Sequence, residues 1–93
     1  MEIKITISET DVKVLNNDLT DIQKWVEDAV SGKIDNCWSR MRQDWTIKLM
    51  DDPNFTDPIP SNKDEFINLV TSRPEYKSAT QRKEEVANNI PSL

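Results

Sequence analysis

From Ile22 to Leu49 the chain reads IQKWVEDAVSGKIDNCWSRMRQDWTIKL. Its apolar members Ile22, Trp25, Val26, Ala29, Val30, Ile34, Cys37, Trp38, Met41, Trp45 and Leu49 recur in steps almost always of three or four. That spacing is the pattern of an amphipathic helix, and we read it as a single stripe about 30 residues long. At 1.5 Å per residue such a helix spans roughly 45 Å, more than a compact domain of this mass needs, so it either protrudes or packs along neighbouring copies. Gly32 beside Ser31 is its weak point, because glycine is a poor helix former. A kink or a break into two helices at residues 31–33 is therefore the alternative to a continuous helix.

Working outward, Thr20 restarts the chain as a helix, with Gln23 as the second half of a capping box and Asp21 placed to meet the positive end of the helix dipole. Asp51, Asp52, Pro53 and Asn54 stop the long helix, and Pro58 and Pro60 hold a linker extended around Ile59. Ser61, with Asp64 in the capping-box position, opens another helix whose Phe66, Ile67, Leu69 and Val70 form a face able to close over the long one. Pro74 ends that helix and suits the first turn of a last one, capped by Ser72 or Arg73 and running over residues 75–88. Its apolar supply is thin, consisting of Tyr76, Ala79, Val86 and Ala87.

Towards the start of the chain, Ser8 and Asp11 have capping-box spacing ahead of Val12 and Leu15, which predicts a short helix ended by Asn16, Asn17 and Asp18. Before it, Ile3, Ile5 and Ile7 alternate with Lys4, Thr6 and Ser8 at a period of two, the pattern of a half-buried strand. No second stretch alternates in this way, and a lone strand leaves its backbone groups without a ladder partner. Either that partner lies in another chain, or the segment packs as an irregular extended arm on its own helices. The expected fold is thus mainly α: a short N-terminal β-strand, three to five helices with one long amphipathic helix in the middle, and completion by oligomerisation. Residues 1–88 read as a single small helical domain with a strand arm at 1–8, and residues 89–93 as a tail.

Composition narrows the function. The chain has 93 residues, with 12 Lys and Arg against 17 Asp and Glu, a net charge of −5 and an isoelectric point near 4.6. No basic field is available for broad nucleic-acid binding. Histidine is absent and Cys37 is the single cysteine, which removes imidazole-based triads, zinc fingers and disulfide frameworks. A lone thiol suits a reducing compartment. Gly32 is the only glycine, so phosphate-cradling glycine loops are absent too. The start of the chain lacks the long apolar run of an export signal, and no apolar stretch approaches the length that crosses a bilayer. Asp51 with Asp52, and Glu84 with Glu85, read as solvated carboxylates, since neighbouring residues on a helix diverge and a hard cation needs convergent oxygens. No catalytic, cofactor or metal residues are expected, nor a small-molecule substrate, and the protein reads as a non-enzyme.

With 35% apolar residues the core is thin, and chains of this kind finish it by assembling. The tryptophans, seven residues apart at Trp38 and Trp45 and with Trp25 earlier, are either core or contact residues. Tryptophan, arginine and methionine are enriched at interfaces, and Arg40, Met41 and Arg42 interleave with them. The candidate interaction residues are Ile3, Ile5, Ile7, Trp25, Trp38, Met41 and Trp45.

The order of features carries a resemblance: alternation at residues 3–7, Ser8-Glu9, a capped helix with Trp25 and Ala29, then Arg40, Trp45, Leu49-Met50, Asp52-Pro53, and Ile59-Pro60 before an acidic helix start. In this the chain resembles small proteins encoded in the structural gene regions of tailed bacteriophages, over about residues 3 to 80. Residues 34–37 depart from the more basic pattern of that group. The resemblance transfers no catalytic residues. It implies a virion structural or assembly component at the tail or head surface, located in the virion and in the host cytoplasm during assembly, whose partners are copies of itself or other virion proteins. A competing reading is a small acidic phage inhibitor of a host defence protein, although the acids are dispersed among lysines and arginines. A helix-turn-helix regulator would need a basic recognition helix, and residues 77–83 are balanced by Glu84 and Glu85.

Overall fold

The computed structural model describes residues 1–89. They form four helices: α1 (Glu9–Asp18), α2 (Ile22–Asp51), α3 (Lys63–Ser72) and α4 (Ala79–Asn89). The chain divides into two units, Met1–Met41 and Arg42–Leu93.

In the first unit, residues 1–8 carry no regular structure, and no strand occurs among the described residues. The strand expected over residues 3–7 is therefore absent. Its physical reason is the one the alternation raises: a strand exists only through ladder bonds, and among the described residues no backbone hydrogen bond joins residues 1–7 to another segment. Ser8 caps α1 as its spacing predicts, its Oγ accepting from the Asp11 N–H at 3.1 Å. The helix ends on the Asn16, Asn17 and Asp18 run as the sequence predicts, and Leu19 caps it, its N–H donating to the Leu15 carbonyl at 2.8 Å.

Asp21, rather than Thr20, caps α2. Its carboxylate accepts from the Lys24 N–H at 3.0 Å, and its carbonyl accepts from the Trp25 N–H at 3.1 Å. A carboxylate satisfies an orphan N–H and meets the helix dipole at once, which a hydroxyl does less well. The helix then runs for 30 residues without a break. Gly32 has no positive φ, and a Cβ built on it meets nothing within 4 Å, so neither a left-handed backbone nor a close neighbour requires a glycine here.

The apolar residues of α2 do not form one stripe. Stepping from Ile22 to Leu49 through residues 26, 30, 34, 38, 41 and 45 averages nearer four than the 3.6 residues of a turn. The pattern therefore rotates around the helix. Ile22 and Leu49, 27 positions apart, are about seven and a half turns apart and lie on opposite sides. Two successive faces result: Ile22, Trp25, Val26 and Ala29, then Val30, Ile34, Trp38, Met41, Trp45 and Leu49.

In the second unit, α2 stops where the acidic Pro-containing sequence predicts. The Asp52 side chain accepts from the Asn54 N–H at 2.9 Å, and its carbonyl accepts from the Phe55 N–H at 3.2 Å, an Asx-type turn. Asn62 caps α3 in place of Ser61, its Oδ1 taking the Glu65 N–H at 3.1 Å. The last helix starts at Ala79 and not at residue 75. Pro74 instead occupies the second position of a turn closed by the Tyr76 N–H on the Arg73 carbonyl at 3.1 Å, a place its fixed φ favours. Ser78 then caps α4 in a reciprocal capping box. Its Oγ accepts from the Gln81 N–H at 3.2 Å, and its own N–H donates to Gln81 Oε1 at 2.8 Å. Trp45, Leu49, Phe66 and Val70 are the buried residues of the described chain, so α3 supplies half of the core through the face read from its sequence. The expected tail at residues 89–93 begins with Asn89, which closes α4; residues 90–93 lie outside the described residues.

Candidate interaction surface

The residues singled out from the sequence separate by burial. Ile3 is 76% exposed and Ile5 67%, whereas Ile7 is half-buried. Trp25 keeps 55% of its surface in water, and Trp38 and Met41 are half-buried. Trp45 is buried, at 9%. Its ring meets Tyr76 at 6.1 Å between centroids in a tilted pair, an arrangement aromatic quadrupoles favour. The Lys48 ammonium lies 4.5 Å from the Trp45 centroid, close enough for a cation–π contact. Trp25 and Ile34 are nine positions apart, about two and a half turns, so Trp25 does not share a face with the run that begins at Val30.

That run changes character along its length. Val30 and Ile34 are exposed, Trp38 and Met41 half-buried, and Trp45 and Leu49 buried. Cys37 on the same side is a free, exposed thiol, with Arg40 Nη2 3.8 Å from its sulfur. In the first unit, Val12, Leu15, Leu19, Ile22 and Val26 are half-buried, and no side chain of residues 1–41 is buried.

The polar centre of the second unit is Arg73, which sequence reasoning considers only as a helix cap. Its guanidinium donates to Asp52 Oδ2 at 2.5 Å and, through Nε, to Glu75. Its Cζ lies 5.7 Å from the Phe55 centroid. One planar fork thus ties the turn after α2 to the turn after α3, the geometry at which arginine outperforms lysine. The Asn54 N–H and then the Arg73 guanidinium hold the Asp52 carboxyl below its ordinary value. Arg73 does the same for Glu75, and Glu75 and Asp52 together raise Arg73. With both carboxylates engaged by the guanidinium, this cluster is a brace and offers no free base. No sequence signal marks the pair, since Asp52 and Arg73 are 21 positions apart.

Among the described residues no group of three or more Cys, Asp or Glu side chains converges to hold a metal ion, and no helix is long and apolar enough to cross a membrane. No protein-family model, curated protein or solved structure matches this chain.

Proposed function

We propose that the protein is a non-enzymatic structural or assembly subunit of a tailed-phage particle, acting through protein–protein contacts at the tail or head surface. One observation carries the contact-mediated part of this reading. In Met1–Met41 no side chain is buried, while Ile3, Ile5, Trp25, Val30 and Ile34 each keep half or more of their surface in water. Burying one large aliphatic or aromatic side chain contributes about 1.5–3 kcal/mol, so a partner that covers several of them gains enough to assemble. The phage assignment rests on the order of sequence features quoted above. Residues 1–7, whose backbone groups lack partners among the described residues, suit addition to a sheet edge of a neighbouring virion protein, with Ile3, Ile5 and Ile7 filling alternate pockets.

Particles sedimented from a lysate of the encoding phage test the reading. An antibody to the chain labels them if the proposal holds, and removal of residues 1–7 abolishes the label. A chain found wholly in the soluble fraction and absent from assembly intermediates overturns it.

A further inference from the structure

We draw no further inference here: the strongest candidate, the apolar strip of α2 within the first unit at Val30, Ile34, Trp38 and Met41, is an unpartnered helix face, and nothing in the structure shows what covers it.

Discussion

The two units of this chain make opposite use of similar material. Residues 42–89 contain every buried side chain of the described structure, Trp45, Leu49, Phe66 and Val70, and a three-way guanidinium brace at Arg73. Residues 1–41 contain none of them, although they hold two of the three tryptophans and isoleucines at five positions. Apolar content is therefore not what separates a finished core from an open face. The second unit has a linker at residues 52–62 that lets α3 present Phe66 and Val70 to the same core as the last turns of α2. The first unit holds only α1, ten residues long, and the start of α2, where Ile22 and Val26 are half-buried and Val30 and Ile34 are exposed.

The largest effect that would sharpen this contrast is Phe66→Ala. Removing a ring that is 2% exposed is expected to lower unfolding stability by about 3–5 kcal/mol, measured by urea titration. Trp25→Ala, which truncates a larger but exposed ring, should move the same midpoint by no more than about 0.5 kcal/mol. Equal losses from the two would break the comparison.

Acid comes next in size. The Asp52 and Glu75 carboxyls are both depressed in the folded chain. Their contribution is present in full above the ordinary carboxylate range near pH 4 and is lost as pH falls through the lower folded values. Thermal melts of wild type and Arg73→Gln should therefore differ at pH 7 and converge on acidification below about pH 3. A difference that persists into strong acid would show that Arg73 acts through packing on Phe55 and not through its carboxylates.

The smallest effect belongs to the first unit. Gly32→Ala places a methyl in open space on a regular helix and is expected to raise stability by about 0.5–1 kcal/mol. A loss of stability would mean that the helix bends at Gly32 in solution, restoring the break that residues 31–33 suggest.

Local signals were legible to within a residue or two where one short side chain decides the outcome. Ser8 caps α1 as read, and the caps of α2 and α3 shift by one residue to Asp21 and Asn62, because a better acceptor stands next to the expected one. The start of α4 was misplaced since Pro74 suits both a helix start and the second position of a turn, and the Ser78 to Gln81 capping box, visible in the sequence, decides in favour of the later start. The single stripe of α2 failed for a different reason: steps of three or four look periodic by eye, yet their small excess over 3.6 accumulates across seven turns into half a rotation.

What the sequence determined by itself is the set of properties that depend on neighbours within a few residues: helical character, the stop after Asp51, the acidic Pro-rich linker and the apolar face of α3. Only the folded chain decided which apolar residues are core and which are surface, and that Arg73 reaches Asp52 from 21 positions away. Burial and long-range ion pairing depend on which segments meet in space. A periodicity states which side of a helix is apolar, and the presence or absence of a neighbour on that side states whether water is excluded from it.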